Sequence, residues 1–324
     1  MSVKSELLKI LHSASEDFIS GDAIAKKLSV SRNAVWKAAQ ILRSEGYNII
    51  AVTNKGYRLS SSADMLLAPE IMRHIKTKDV FNVEVRDVVT STNTVVRELA
   101  SGGEHEGYVL VAGEQTAGKG RQGRVFYSPP RHGVYFSLLL RPGHKANDAS
   151  LITSAAAVAT AKAIEEVIGV SVGIKWVNDL FVGGKKVCGI LTEAVFDMES
   201  GLVESAVLGI GINITRQESG FPEEIKDVAA TLTDRVEGED SERCRLIAKI
   251  LDNFWSFYQN LVKREFLDEY RARSIILGKE INIISFDETR AATAIEIDNN
   301  CGLLVEYENG EKAVLSSGDI SIRL

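Results

Sequence analysis

The sequence predicts an α+β protein with three domains, and three observations support this. The first 60 residues have the order helix, helix, tight turn, helix and hairpin, which is typical of a winged helix-turn-helix. Residues 65–274 alternate strand-like runs with helical patterns, which favours a mixed or mostly antiparallel sheet. Residues 275–324 are short strands separated by turn residues, which indicates a small SH3-like β-barrel. We therefore expect domains over residues 1–64, 65–274 and 275–324.

The N-terminal domain begins with an amphipathic helix over residues 3–13. Ser20 is a good N-cap for a second helix, which the tight turn Ser29-Val30 ends. Ser31 caps a third helix, and Gly46 stops it. The apolar stripe of the third helix that should face the core consists of Val35, Ala38, Ala39 and Leu42.

The third helix and the hairpin predict a DNA partner. In a winged helix the third helix lies in the major groove, and the hairpin, here residues 47–53 and 57–59, lies beside the backbone. Residues 1–60 carry nine Lys and Arg against five Asp and Glu, whereas the rest of the chain has a net charge of −10, which favours a polyanion at this end. A three-helix protein-interaction module is the alternative, and Trp36 could belong to the core. The expected DNA contacts are Ser31, Arg32, Asn33, Trp36 and Lys37, with Lys55 and Arg58 on the wing.

The central domain contains two long helical patterns among its strands. Residues 148–167 are rich in alanine and apolar on almost every side, which predicts a buried helix. Residues 241–263 predict a long amphipathic helix. The strand-like runs are 83–89, 108–114, 133–140, 172–177, 187–196 and 203–214.

Several classes of protein are disfavoured by composition. The apolar residues at the start of the chain are interrupted by the charged residues Lys4, Glu6 and Lys9, so we do not expect a signal peptide there. No run in the sequence approaches the roughly 18 apolar residues that span a bilayer. We therefore expect a cytoplasmic protein without a membrane partner. The three cysteines form no CxxC pair and the five histidines are scattered, which disfavours a disulfide framework and a metal cluster.

A glycine-rich loop at residues 113–125 matches three familiar patterns, and its context excludes each. Gly118, Gly120 and Gly123 satisfy G-x-G-x-x-G, but Pro129 and Pro130 follow where a dinucleotide-binding fold needs a helix. The same loop fits the kinase pattern, but the chain has no HRD or DFG triplet. It nearly fits a P-loop, but Gly120 stands where Ser or Thr is required.

The residues of this loop still indicate a phosphate-bearing ligand. Its glycines allow backbone amides to approach a ligand, and Lys119, Arg121 and Arg124 place three cations within six residues. An exposed basic turn is the alternative. Residues 175–179 end a strand run with Lys, Asn and Asp, and residues 183–191 and 209–213 place glycine near Lys or Asn, all at strand ends where ligands usually bind.

At these motifs the chain resembles the bifunctional biotin–protein ligases that also repress the biotin operon, and the resemblance covers essentially its whole length. The matching motifs are Ser91-Thr-Asn93, Gly118-Lys-Gly-Arg-Gln-Gly-Arg124, Lys175-Trp-Val-Asn-Asp179 and Gly184-Lys-Lys-Val-Cys-Gly-Ile-Leu191. The chain departs from the family at three positions, where Lys119 replaces a common arginine, Val177 a proline and Phe126 a tryptophan. Neither of the first two changes removes a charge, and Phe126 should still stack on adenine.

The resemblance implies a two-step reaction with biotin, ATP and Mg²⁺. Biotin and ATP would give biotinyl-5′-AMP and pyrophosphate, and a lysine on the biotin carrier domain of acetyl-CoA or pyruvate carboxylase would then attack the adenylate. The adenylate would also favour a homodimer that binds operator DNA. A lipoate–protein ligase and a non-catalytic ligand-sensing repressor are the alternative functions.

The resemblance also assigns roles to single residues. Lys186 would neutralise the biotin carboxylate and the α-phosphate, and Arg121 would contact the adenylate phosphate, so both are expected to be catalytic. Ser91 could also cap the following helix, and Asp179 could bind Mg²⁺ or pair with Lys175 or Arg124. The expected biotin contacts are Ser91, Thr92, Asn93, Gln115, Lys119, Gly120, Arg121 and Lys186, and the expected ATP contacts are Arg121, Arg124, Phe126, Asn178 and Asp179.

Overall fold

The computed structural model describes residues 3–14, 17–44, 47, 49–59, 66–142, 149–196, 203–234, 242–284, 288–316 and 318–322. The chain divides into two compact units, one reaching to Leu67 and the other beginning at Ala68. The predicted linker at residues 60–64 and the predicted helix stop at Gly46 lie outside the described residues. Within the described ranges, none of the helices combines the length and apolar character that crossing a bilayer requires.

The first unit has the predicted winged helix-turn-helix order. Ser20 Oγ accepts a hydrogen bond from the Ala23 amide at 3.1 Å, and Ser31 Oγ accepts one from the Ala34 amide at 3.1 Å, so both predicted N-caps are confirmed. Ser29 adopts the left-handed conformation (φ 55°) that makes the turn between the two helices. The elements are α1 (Val3–Ser13), α2 (Gly21–Leu28), α3 (Arg32–Ser44), β1 (Ile49–Val52) and β2 (Gly56–Leu59).

Trp36 is not part of the hydrophobic core of the first unit. The alternative that Trp36 belongs to the core is wrong, because 51% of this residue is exposed. Gly56 begins β2 with φ 106°, and a side chain there would collide with the Ile19 backbone, which pairs with Tyr57. The core consists of Leu7, Leu11, Ile24, Val35, Ala38, Ala39, Leu42 and Tyr47, so the predicted stripe of α3 is confirmed.

The second unit is built on a mixed sheet, as predicted, and this sheet has seven strands. The strand order is β3-β4-β5-β9-β8-β7-β6; β3 and β4 are parallel and the other neighbours are antiparallel. The strands are β3 (Asn82–Val89), β4 (Tyr108–Gln115), β5 (Gly133–Leu140), β6 (Gly173–Lys175), β7 (Asp179–Val182), β8 (Lys185–Phe196) and β9 (Val203–Asn213).

Helices cover this sheet and the alanine-rich one is buried, as predicted. Ala155–Ala159 are all fully buried in α6, where small side chains allow close packing. The helices are α4 (Ala68–His74), α5 (Thr92–Ser101), α6 (Ala149–Ile168), α7 (Glu242–Tyr258) and α8 (Leu267–Ala272).

Two predicted elements of the second unit have wrong bounds. The predicted strand 172–177 ends at Lys175, and β7, which the sequence analysis did not predict, follows a turn and pairs with both β6 and β8. The predicted helix 241–263 ends at Tyr258 and is followed by a 3-10 turn over Leu261–Lys263 and by α8. Asn260 departs from helical geometry with φ −126° and ψ 34°, so the α-helix does not continue through the rest of the predicted range.

The C-terminal residues form a small antiparallel sheet, in agreement with the predicted all-β domain. Its strand order is β13-β12-β11-β10-β14. The sheet belongs to the second compact unit, and the Trp176 indole donates to the Cys301 carbonyl at 2.8 Å. The strands are β10 (Glu280–Ile284), β11 (Thr289–Ile297), β12 (Leu303–Tyr307), β13 (Lys312–Leu315) and β14 (Asp319–Ile322).

Candidate active site and nucleic-acid surface

A buried polar network joins the start of α5 to the end of β4. The Thr92 amide donates to Gln115 Oε1 at 2.8 Å, and the Thr92 hydroxyl donates to the same oxygen at 3.1 Å. Gln115 Nε2 donates to Ser128 Oγ at 2.9 Å, and the Ser128 hydroxyl donates to the Phe126 carbonyl at 3.0 Å. Two expected biotin contacts, Thr92 and Gln115, are therefore in direct contact across 23 residues of sequence.

The Asn93 carboxamide on α5 is held at both ends by side chains of the sheet. Asn93 Nδ2 donates to Glu193 Oε2 at 2.8 Å, and the Ser137 hydroxyl lies 2.6 Å from Asn93 Oδ1. Sequence reasoning missed Ser137 and Glu193, although a serine within the apolar run of β5 was a signal. Ser91 occupies the N-cap position of α5 and is buried, but its side chain makes no capping hydrogen bond, so the expected cap is wrong.

The glycine-arginine loop folds as a short hairpin. The Phe126 amide donates to the Gly118 carbonyl at 2.8 Å, and the Gly120 amide donates to the Arg124 carbonyl at 2.7 Å. A 3-10 turn over Arg121–Gly123 closes the hairpin, where Gly123 has φ 75°. The 3-10 turn includes the last glycine, and residues 124–130 after it are not helical, which agrees with rejecting a dinucleotide-binding fold and a P-loop. Lys119 and Arg124 lie exposed at its sides.

The Phe126 ring rests on two glycines of the sheet. A Cβ at Gly211 would lie 2.5 Å from the ring and one at Gly189 would lie 3.2 Å from it, so both strands need glycine beneath this aromatic side chain. The ring also makes an edge contact with Tyr135 at 6.4 Å between centroids. Phe126, the expected adenine contact, therefore contacts both groups, because its carbonyl accepts from Ser128 of the Thr92 network and its ring lies against Gly189 and Gly211.

Lys186 and Asp179 form an ion pair at the β7–β8 hairpin. Their Nζ and Oδ1 atoms are 2.7 Å apart, and both side chains are partly exposed. The partner of Asp179 is thus neither of the two basic residues that the sequence analysis named. The Lys186 backbone is held as well, because its amide donates to Val228 and its carbonyl accepts from Ala230, both at 2.8 Å.

Asn178 connects the basic loop to the same hairpin. Arg121 Nη1 donates to Asn178 Oδ1 at 3.2 Å, and Asn178 Nδ2 donates to the Ile190 carbonyl at 2.7 Å. The structure therefore brings the two expected catalytic cations, Lys186 and Arg121, onto consecutive residues, Asn178 and Asp179. Cationic groups aimed at one place favour binding of anions and stabilise charge that develops there.

Cys188, the cysteine two residues after Lys186, is not a nucleophile. Cys188 lies on β8 and is fully buried. Burial raises the pKa of its thiol far above the ordinary value, so the group stays protonated at neutral pH.

Among the residues that the structure describes, no three His, Cys, Asp or Glu side chains are grouped so that they could hold a metal ion.

The expected DNA contacts lie on one exposed surface of α3. Arg32, Asn33, Trp36 and Lys37 are all exposed, and Arg32 Nε forms an ion pair with Asp22 at 2.9 Å. On the hairpin, Arg58 lies over the Phe18 ring at 5.1 Å, and Lys55 is exposed. This surface offers cations and an aromatic ring to a groove, which suits phosphate and base contacts.

Comparison with known proteins agrees with this arrangement. Residues 85–213 match the model of the biotin/lipoate A/B protein ligase family, residues 3–58 match an HTH domain, and residues 276–323 match the biotin protein ligase C terminal domain. A structure of the biotin protein ligase from Aquifex aeolicus in complex with biotin and ATP covers 75% of this chain and 98% of its own, with 29% identity and a TM-score of 0.61. The fold and the site thus define a ligase of the biotin and lipoate class with an added helix-turn-helix domain.

Relatives of similar length narrow this class. The chain is 36% identical over 320 residues to the bifunctional ligase/repressor BirA of Bacillus subtilis, covering 98% of both proteins. It is 27% identical over 326 residues to the bifunctional ligase/repressor BirA of Escherichia coli, covering 99% of this chain and 98% of that protein. The chain belongs to this family of bifunctional biotin ligase/repressors.

Proposed function

We propose that the protein joins biotin and ATP into biotinyl-5′-AMP, transfers biotin to a lysine of a carrier protein, and represses biotin genes by binding DNA. The observation that carries the ligase activity is the placement of Lys186 and Arg121 on Asp179 and Asn178, next to the Thr92–Gln115 network. Two cations beside a neutral polar pocket suit a ligand with a neutral ring and a carboxylate that must approach a phosphate. The finer assignments of Ser91, Lys119, Gly120 and Arg124 to biotin or ATP are part of this proposal.

The first step needs charge stabilisation and positioning. A biotin carboxylate oxygen attacks the α-phosphorus of ATP, the new P–O bond forms, and the bond to pyrophosphate breaks. Lys186 Nζ lowers the repulsion between the carboxylate and the α-phosphate, and Arg121 binds the phosphate oxygens. Asp179 holds Lys186 until the anions arrive, and Lys186 then exchanges one anionic partner for another. Phe126 would support the adenine ring.

In the second step the carrier lysine replaces AMP. Its neutral amine attacks the biotinyl carbonyl, the amide C–N bond forms, the C–O bond to AMP breaks, and the amine proton passes to solvent water. Lys186 and Arg121 then stabilise the leaving phosphate. This step requires no thiol of the enzyme, in keeping with the protonated Cys188.

Mg²⁺ would arrive with ATP as part of the substrate. Asp179 is the carboxylate at the Lys186 end of the site, and it pairs with that lysine. Mg²⁺ usually keeps several waters and binds through one or two carboxylates plus substrate phosphates, so the phosphates of ATP would supply most of its ligands.

The repressor activity would use the exposed surface of α3. We assign Ser31, Arg32, Asn33, Trp36 and Lys37 to operator contacts, and a homodimer loaded with biotinyl-5′-AMP as the binding species. A carrier domain of acetyl-CoA or pyruvate carboxylase is the proposed acceptor. Because ATP and operator DNA must both be accessible, the cytoplasm is the proposed location.

Pyrophosphate–ATP exchange tests the proposal. Exchange that depends on biotin, followed by a mass increase of one biotin on an added carrier domain, is the expected result. Exchange with lipoate only would support a lipoate–protein ligase instead, and binding of biotin without any exchange would support a non-catalytic sensor. Either outcome would overturn the proposed ligase activity.

A further inference from the structure

A chain of buried hydrogen bonds runs behind the start of α5 and ends at a carboxylate that the proposed reaction does not use. Glu193 Oε2 accepts from Asn93 Nδ2 at 2.8 Å. The Ser137 hydroxyl lies 2.6 Å from Asn93 Oδ1 and 2.7 Å from Thr92 Oγ1. Ser137 is fully buried and Asn93 is 4% exposed. Burying these groups costs free energy unless each is hydrogen-bonded, so their arrangement is tightly constrained.

Glu193 fixes the direction of this chain. An ionised carboxylate only accepts hydrogen bonds, so Asn93 must turn its NH₂ group toward Glu193 and its carbonyl oxygen toward Ser137. The Leu191 carbonyl, 3.4 Å from Asn93 Nδ2, favours the same orientation. Because the carbonyl oxygen of Asn93 also only accepts, the Ser137 hydroxyl must donate its proton to that oxygen.

The consequence appears at Thr92. Ser137 has one proton and gives it to Asn93 Oδ1, so the Ser137 oxygen, 2.7 Å from Thr92 Oγ1, can only accept at that contact. The single Thr92 proton therefore has two acceptors beside it, the Ser137 oxygen and Gln115 Oε1 at 3.1 Å. Gln115 cannot turn around, because its Nε2 donates to Ser128, whose own proton goes to the Phe126 carbonyl. The Thr92 oxygen therefore has acceptor capacity left and no proton to offer a ligand.

We propose that Glu193 is a positioning residue that keeps the Thr92 hydroxyl an acceptor, so that the pocket selects a ligand carrying the N–H donor of a cyclic urea. The inference rests on the proposed function, since it takes Thr92 as a biotin contact. A dithiolane ring has no N–H group, so the same polarity discriminates against lipoate. A site whose buried acceptor stays unpaired rejects the wrong ligand more strongly than a site that loses an apolar contact.

Three variants separate this role from general support of the fold. Glu193→Ala removes the acceptor and lets the Asn93 carboxamide turn. Glu193→Gln keeps an acceptor oxygen for Asn93 and removes the charge. Arg97→Met is the matched control, because Arg97 Nη1 donates to the other carboxylate oxygen, Glu193 Oε1, at 3.2 Å and its loss leaves the Asn93 contact intact.

Titration calorimetry with biotin and with a biotin methylated on its ureido nitrogens measures directly how strongly the site prefers a ligand that carries N–H donors. For Glu193→Ala we expect biotin affinity to fall about 10-fold, as for the loss of one hydrogen bond, and the preference for biotin over the methylated compound to fall about as much. Glu193→Gln and Arg97→Met should keep the wild-type preference. A change in ATP affinity is not expected in any variant.

Two results would overturn the inference. One is an unchanged preference in Glu193→Ala, and the other is an equal loss in Arg97→Met, which would point to the ion pair alone. If Glu193→Ala does not fold, Ser137→Ala breaks the chain at its midpoint and should show the same loss of preference, and an unchanged preference there is equally contradictory. Wild-type protein without measurable biotin affinity would instead overturn the proposed function together with this inference.

Discussion

The residues around Thr92 and those around Lys186 form two sides of the proposed site, and they differ in burial and charge. Thr92 is 3% exposed, and its neighbours Gln115, Ser128 and Ser137 are neutral and hydrogen-bonded to one another. The Lys186 side chain is 33% exposed and pairs with Asp179. A fixed neutral network suits a neutral ring, whereas cations with exchangeable partners suit phosphates that enter and leave. Substitutions on each side should therefore affect different ligands.

The largest effect is expected at Lys186. Lys186→Ala removes the charge that brings two anions together, and the rate of biotin-dependent pyrophosphate exchange should fall roughly 100- to 1,000-fold, about 3–4 kcal/mol of transition-state stabilisation. Lys185→Ala is the matched control, because the neighbouring ammonium contacts only a backbone carbonyl of Lys226 among its described partners, at 3.2 Å. Near-normal exchange in Lys186→Ala would contradict the assignment of this cation.

The next largest effect is expected on DNA binding, and it should leave the ligase site unchanged. Arg32→Ala with Lys37→Ala should weaken operator binding by roughly 100-fold, because each removes a contact to a phosphate or a base edge, while exchange activity stays normal. Lys26→Ala with Lys27→Ala removes the same charge from α2 and should cost less. A gel-shift titration measures both, and loss of exchange in the first variant would refute the separation of the two functions.

A smaller effect on the neutral side should be specific to biotin. Gln115→Leu leaves the Thr92 amide without its partner, which costs about 1–3 kcal/mol and should raise the Kd for biotin roughly 10- to 100-fold. The KM for ATP should stay within about 2-fold, because the cations are untouched. If ATP and biotin affinities fell together, the division of the site into two sides would not hold.

The smallest effect is on stability and provides a reference outside the site. Glu165 accepts from Arg273 Nη1 and Nη2, both at 2.7 Å, and these bonds lower the pKa of Glu165 from 4.5 to about 2. Because the pKa is lower in the folded protein, the stabilisation is present above pH 4.5 and is lost as the pH falls toward 2. Glu165→Gln should reduce the free energy of unfolding by about 1 kcal/mol at pH 7, with allowance for solvent screening.

Urea unfolding at pH 7 and pH 4 measures that difference, which should shrink at the lower pH. Glu166→Gln, which removes the more exposed pair with Lys249, should have less effect. Biotin and ATP affinities should not change in either variant. A Glu165→Gln deficit that grows as the pH falls would show the opposite sign and contradict the cause given for the pKa.

Local features of the fold could be predicted, and contacts over long distances in sequence could not. The caps Ser20 and Ser31 act within three residues, so sequence alone located the starts of α2 and α3. The contact between Asn93 and Glu193 spans 100 residues and depends on the register of β8 against β9. The strand β7 is four residues long and begins at the Asp of an Asn-Asp pair, which is typical of a turn, so its strand character depends on pairing with β8.

The site shows the same limit. The motifs identified Lys186 and Asp179 separately, because each has a recognisable neighbourhood, but their pairing comes from the β7–β8 hairpin. Ser137 was a visible anomaly in an apolar strand, yet its role needed the position of α5 above it. Sequence therefore predicts which residue types are present, and the sheet determines which of them meet.

A crystal structure with a non-hydrolysable analogue of biotinyl-5′-AMP tests the central claim most directly. The account predicts that Lys186 Nζ and the Arg121 guanidinium lie within hydrogen-bond distance, about 3 Å, of the acyl-phosphate linkage, with Asp179 released and the ureido ring against Thr92 and Gln115. An adenylate bound with Lys186 still paired to Asp179, or with its ureido ring away from Thr92, would contradict it.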